Sequence, residues 1–269
     1  MRTVEDYSLS MAFLKKACAK KVELHKSSED IHSILKAHPK LVVAMNHGPM
    51  AGPVAGSIAM MDQYSKNGGN ERIPMIIAWR GFYHIPLVKH LIRYMSQVKM
   101  PFNLDGFVKQ MTNKGVTDLF VMPEGENCAY GNGLDIEPFL SPRFVELALK
   151  SGVPILIAVH TGSERWSNII PVSEKLNPIL KYLPKKSYQR IKETRQLNMA
   201  PLTLATIPRL EIAFTLYQPE MVEADLDKDN ALELLEQESS RIRALMQASV
   251  DRIKGVQVDD AEVELQSIA

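Results

Sequence analysis

Long apolar runs are missing from this chain of 269 residues. None comes near the roughly 18 residues a membrane-spanning helix needs, so any contact with a bilayer is expected to be peripheral. Cysteine is scarce: Cys18 and Cys128 give no disulfide framework and suit a reducing compartment. The basic-then-apolar layout of a signal peptide is also missing, since Met1–Tyr7 carries two acidic residues and no apolar core follows. These absences lead to the expectation of a cytoplasmic protein, peripheral at the inner membrane face where it meets lipid. Net charge is nearly absent too. With 32 Lys and Arg against 31 Asp and Glu the balance is +1, which excludes a simple polyanion binder, and no nucleic-acid partner is expected. No metal is expected either, because His84, His90 and His160 show no ligand spacing with Cys, Asp or Glu.

What is present is ordinary in amount and uneven in placement. Apolar content of 45% and charged content of 23% fit a globular chain able to bury a sizeable core. Residues 168–209 carry eight Lys and Arg against two acidic residues, whereas 219–269 carry thirteen Asp and Glu against five Lys and Arg. The division expected is a helical lead (1–40), an α/β domain (41–220), and a C-terminal helix with an acidic tail (221–269).

Three stretches organise the α/β part. Leu41–Met45 is short, β-branched and bounded by turn formers, and so reads as a buried strand. It runs into Asn46-His47-Gly48-Pro49, and an apolar, glycine-broken helix pattern follows over 50–61. Leu119–Met122 is a second apolar strand, ending in Pro123-Glu124-Gly125. Ser151-Gly152-Val153-Pro154 is a turn that leads into a third buried strand ending at His160. A histidine at the carboxyl end of a buried strand, just before a helix, stands where open α/β sheets place ligand crevices.

The ordered set resembles the lysophospholipid/glycerolipid acyltransferase superfamily, over roughly residues 35–165. That family carries Asn-His-x4-Asp, then Phe-Pro-Glu-Gly-Thr, then Val-Pro-Ile-x-Pro-Val. The resemblance implies an α/β fold with a largely parallel sheet of six or seven strands flanked by helices. It implies transfer of a fatty acyl group from acyl-CoA or an acyl carrier protein, as co-substrate and without a bound cofactor, to a lipid-like or small acceptor hydroxyl or amine. His47 would be the general base and Glu124 its companion in the site. Asn46, Arg80, Pro123, Gly125, Glu126 and Asn127 would line the substrate. Two departures stand out. The family's aspartate, five positions after the histidine, is Gly52 here, and Glu126-Asn127 replace the usual Thr and Arg. The first leaves three outcomes open: a backbone carbonyl orients His47, a carboxylate (Glu124, Glu126 or Asp135) does so, or the chain is an impaired acyl- or lipid-binding relative. The second implies an acceptor that does not depend on the usual phosphate recognition. A nucleophilic pair of Cys128 with His47 is a further alternative.

The flanking segments complete the expectation. Residues 8–24 fit a helix with Met11, Leu14, Cys18 and Val22 on one face and Lys15, Lys16, Lys20 and Lys21 clustered. Residues 28–37 and 105–114 read as helices, 74–79 and 210–217 as strands, and 230–254 as a long helix capped by Asp229 or Asn230. Residues 174–209 interleave Leu176, Ile179, Leu180, Leu183, Tyr188, Ile191 and Leu197 with basic residues, which suggests a helical excursion. That segment either meets an anionic membrane surface or acidic carrier, with the N-terminal lysines as a second patch, or forms a structural lid. The last dozen residues are expected to fray.

Overall fold

Strand β2 (Leu41–Met45) is buried along its whole length, which explains its unbroken apolar run. In the computed structural model, which describes residues 1–113 and 115–258, its side chains alternate between two cores. Leu41, Val43 and Met45 face one, while Val42 and Ala44 face the other. The first core is closed by α1 (Ser8–Cys18), α2 (Ile31–Ala37) and α3 (Gly52–Lys66). The second is closed by α5 (Leu104–Asn113), α6 (Arg143–Ser151) and α9 (Ala231–Lys254). The result is a helix–sheet–helix sandwich of the α/β class.

Six strands make the sheet, in the order β1-β8-β5-β2-β4-β3. The strands β3 (Pro74–Ile76), β4 (Asp118–Val121), β2 and β5 (Ile155–Thr161) run parallel. The largely parallel six-stranded sheet expected from the sequence is therefore present. Strand β8 (Leu210–Tyr217) is the exception, lying antiparallel to β5, with β1 (Val22–Leu24) parallel to β8 at the edge. The cause is the excursion after β5. It leaves and returns at the same edge of the sheet, so β8 must run back.

Several boundaries differ from expectation. Val22 belongs to strand β1 rather than the apolar face of α1, which stops at Cys18. The strand at 74–79 is three residues long and ends before Trp79. The excursion is not all helix: α7 (Asn177–Leu180) and α8 (Lys185–Thr194) sit between β6 (Asn168–Pro171) and β7 (Gln196–Met199), which pair antiparallel. Leu197 lies in that ribbon, where Leu197 and Ile170 are opposed across the ladder. Asn230 occupies the N-cap of α9 without a side-chain capping bond. Residues 259–269, where fraying was expected, lie outside the described residues, as does Lys114.

The Met11, Leu14 and Cys18 face of α1 packs onto the first core. Lys15 pairs with Asp62 at 2.5 Å and Lys21 with Glu23 at 2.5 Å, so half of the N-terminal lysine cluster is engaged in ion pairs. Among the described residues no helix is long and apolar enough to cross a membrane.

Candidate active site

Parallel strands end together, and the carboxyl ends of β2, β4 and β5 bring three loops to one place. The first loop, 46–51, is pinned by Asn46. Its side chain donates to the carbonyl of His160 at 3.0 Å and accepts from the amide of His160 at 2.8 Å, stitching β2 to β5. Asn46 is 1% exposed and both its polar atoms are engaged, so it acts as a clamp between strands. Gly48 follows at φ 64°, and a Cβ there would stand 2.8 Å from the hydroxyl of Ser163. Only glycine suits a left-handed residue in so tight a passage.

His47 is oriented by the turn itself. Its Nδ1 lies 3.2 Å from the carbonyl oxygen of Pro49, which also accepts the amide of Gly52 at 2.7 Å. A carbonyl can only accept, so this contact needs the proton on Nδ1 and leaves Nε2 with the lone pair. Of the partners left open by the sequence, the one beside the ring is the backbone carbonyl. Gly52 shows why no carboxylate stands there: a Cβ at that position would sit 2.0 Å from the carbonyl oxygen of His47. The turn that supplies the carbonyl excludes the aspartate.

Glu124 meets the backbone of His47 rather than its ring. One carboxylate oxygen accepts the amide of His47 at 2.6 Å and the other accepts the amide of Glu137 at 2.9 Å. The residue is 1% exposed. In place of facing an acceptor's polar head, the carboxylate ties the β2 turn to the loop after Gly125. It makes no pair with Arg80, which is exposed at the start of a short helical turn, Arg80–His84, beyond β3. Burial lifts the Glu124 carboxyl to about 7, although both amide bonds favour its charged form. Burial lowers His47 from the ordinary histidine value, which keeps the imidazole neutral and basic near pH 7.

A second imidazole lies beneath the first. His160 is fully enclosed; burial, with His47 nearby, lowers it to about 3. Its Nε2 is 3.1 Å from the Ser163 hydroxyl, and its Nδ1 has no partner. Nothing in the sequence pattern set His160 or Ser163 apart, because an ordinary buried strand end reads the same way. Glu137 was equally invisible. Its backbone joins Glu124, its side chain pairs with Arg190 of α8 at 2.5 Å, and its carbonyl accepts from Arg243 of α9 at 3.2 Å.

The remaining sequence candidates lie on the outer side of the same loop. Pro123 is buried, and Gly125 takes φ 50° with Leu140 packed over it. Glu126 and Asn127 line a cavity of about 340 Å³ together with Tyr130, Leu140, Lys185 and Lys186. The expectation drawn from Glu126 alone missed those two lysines, which arrive from α8, some 60 residues later in the chain. Cys128, the other nucleophile weighed from the sequence, is buried. Its thiol contacts the Met50 sulfur at 3.6 Å, and burial with three nearby carboxylates pushes it up to about 12. Among the described residues no group of His, Cys, Asp and Glu gathers in a way that would hold a metal ion.

No family model matches the chain, and no curated protein matches it. Among solved structures the fold is similar to the crystal structure of the 1-acyl-sn-glycerophosphate (LPA) acyltransferase PlsC from Thermotoga maritima. The identity is 17%, covering 93% of this chain and 80% of that one, with a TM-score of 0.47.

Proposed function

We propose that the protein is an acyltransferase that uses His47 as general base to acylate a hydroxyl or amine of a lipid-like or small acceptor. The observation that carries this reading is the contact of Nδ1 with the Pro49 carbonyl, which performs for His47 what an aspartate performs in related catalytic pairs. Nε2 takes the proton of the acceptor as its oxygen or nitrogen attacks the thioester carbonyl carbon. The tetrahedral intermediate then collapses, the C–S bond breaks, and the departing thiolate of CoA or carrier protein takes the proton back from the imidazolium. One ester or amide and one free thiol result. Glu124 acts through the backbone as a positioning residue, since both its oxygens are engaged by amides.

A panel of acyl-CoA and acyl-carrier donors with glycerolipid and amine acceptors tests the reading, with His47→Ala as control. Turnover should fall by at least about 10²-fold in the variant, the lower range for a general base. Activity retained in His47→Ala defeats the proposal. The competing reading, favoured by the absence of a carboxylate at the ring, is an acyl-binding relative without chemistry. It is distinguished by donor binding with no turnover in the wild type.

A further inference from the structure

Two segments set out from the carboxyl edge of the sheet on either side of the His47 crevice, and they share an unusual make-up. Residues 77–104, which follow β3, contain Arg80, Lys89, Arg93 and Lys99 and no Asp or Glu at all. Residues 168–209, which follow β5, carry a net charge of six positives. The stretches 79–87 and 176–202 within them hold one and five net positive charges, with Arg190 paired to Glu137 and Glu193 and Arg195 paired to Glu174. The same two segments expose large apolar side chains. Trp79 is 68% exposed and Leu87 85%; in the other flank Ile179 is 68%, Tyr182 82% and Leu202 105%. Scattered apolar residues need no explanation, but clusters rimmed by one sign of charge do.

The first flank is also held at some cost. Leu87 takes φ 67° and ψ −53°, and the amide of Val88 reaches back to the Pro86 carbonyl at 2.8 Å. This is the rare positive-φ γ-turn, strained for any residue but glycine. Its effect is to present a leucine outward. In the second flank Lys181 lies over the exposed Tyr182 ring, and Lys185 and Lys186 line the cavity with Glu126.

We propose that the carboxyl edge of the sheet is a docking surface for an anionic phospholipid bilayer, with residues 79–87 and 176–202 as its two feet on either side of His47. Charge complementarity and the exposed indole, phenol and aliphatic groups select this occupant. Apolar side chains rimmed by cations match a surface that pairs acyl chains with anionic headgroups, and an acidic protein partner is an outcome the test below separates. The sheet topology puts both feet on one edge: β3, β2 and β5 are parallel, and each foot follows a strand's carboxyl end. This differs from a surface centred on α1, whose Lys15 is tied to Asp62. The docking does not depend on the acyl-transfer reading, since neither foot contains His47.

The chain supplies its own reporter. Its two tryptophans are Trp79, exposed, and Trp166, fully buried. Quenching by brominated acyl chains, which acts at short range, therefore reports on the exposed Trp79. With phosphatidylcholine–phosphatidylglycerol vesicles at low salt, the full chain should co-sediment, its emission should shift to the blue, and brominated acyl chains should quench it. Phosphatidylcholine alone, or high salt, should return the chain to the supernatant. Ile179→Ser combined with Tyr182→Ser should lower the bound fraction about tenfold or more by removing buried apolar area. The proposal is overturned by absence of co-sedimentation, by co-sedimentation without a change at Trp79, by binding that survives the double variant, or by a Trp79 response to an acidic carrier protein but not to vesicles.

Discussion

The two edges of the same sheet treat buried ionisable groups in opposite ways. At the amino edge Asp118 is fully buried, and both its oxygens are paired. Arg72 reaches them through Nε at 2.7 Å and Nη2 at 2.8 Å, Thr117 donates at 2.6 Å and Tyr64 at 3.2 Å. The remaining Arg72 nitrogen donates to the carbonyls of Leu35 and His38. At the carboxyl edge His47, Glu124 and His160 have no opposite charge bonded to them. The carboxylate is held by amides, one imidazole by a carbonyl, and the other keeps an unpartnered nitrogen. The first arrangement neutralises charge in place and fixes α2, α3 and β4 together. The second leaves groups with displaced affinities for protons in a crevice, a pattern that functional sites share. Stability and chemistry are thus divided between the edges, and each substitution below attacks one side of that division.

The largest effect belongs to the amino edge. Asp118→Ala leaves the Arg72 guanidinium buried without its anion, and breaking such a pair costs about 3–5 kcal/mol. Urea unfolding should show that loss, while turnover per folded molecule stays near wild type. His47→Ala should give the mirror image, with turnover reduced at least about 10²-fold and the unfolding midpoint nearly unmoved. If Asp118→Ala abolished turnover in folded protein, the division between the edges would be wrong.

Gly52→Asp sharpens the comparison within the site. Restoring the residue of the Asn-His-x4-Asp pattern would, on sequence alone, be expected to restore a dyad. The structure calls for the opposite, because the new Cβ collides with the His47 carbonyl. We expect a loss of about 1–3 kcal/mol of stability from overpacking and lower turnover. A rise in turnover would show that the turn can open to admit the carboxylate. Glu124→Gln probes the other support. A glutamine has one acceptor oxygen, so either the His47 or the Glu137 amide loses its partner, at a cost of about 1–3 kcal/mol. Its kcat should fall with little change in KM, since both carboxylate oxygens are taken up by backbone amides of the turn.

How much of this could be read from the chain follows from the range of the interactions. Strands β2, β4 and β5 were legible because both faces of each are covered, which makes the run continuously apolar and marks its ends with Asn-His, Pro-Glu-Gly and Gly-Val-Pro. The ordered blocks also placed His47 and Glu124 in one crevice. The Pro49 carbonyl could not be foreseen, since a backbone atom leaves no trace in residue type. Only the glycine at 52 hinted at it. The short ribbon of β6 and β7 was hidden because its Ile169, Ile170 and Met199 are exposed, so no burial pattern marks it. Asn46 read as a substrate ligand and is a clamp instead. Its partner His160 is 114 residues away, and pairings at that range have no local signature.

The smallest expected effect is on the dependence of stability on pH, where two groups of the carboxyl edge oppose each other. His160 titrates at about 3 in the fold, against about 6.5 in an unfolded chain. Between those values the unfolded chain binds a proton that the folded one refuses, so this group makes stability rise with pH up to about 6.5. Glu124 titrates at about 7 in the fold, against about 4.3 unfolded. Over that window the folded chain holds the extra proton, so this group makes stability fall as pH rises. The two slopes cancel from about 4.3 to 6.5, so this pair adds almost nothing to the wild-type profile there, and the lowered His47 supplies the rise that remains just below 6.5. Below about 4.3 only the histidine acts among this pair, and stability should drop. Glu124→Gln removes one side of the balance. Its profile should climb more steeply than the wild type's across that window, by up to about 1.4 kcal/mol per pH unit, the value for one proton. A glutamine variant with the wild-type slope would mean that Glu124 ionises in the fold much as it does in the unfolded chain, and that its burial does not hold a proton on it.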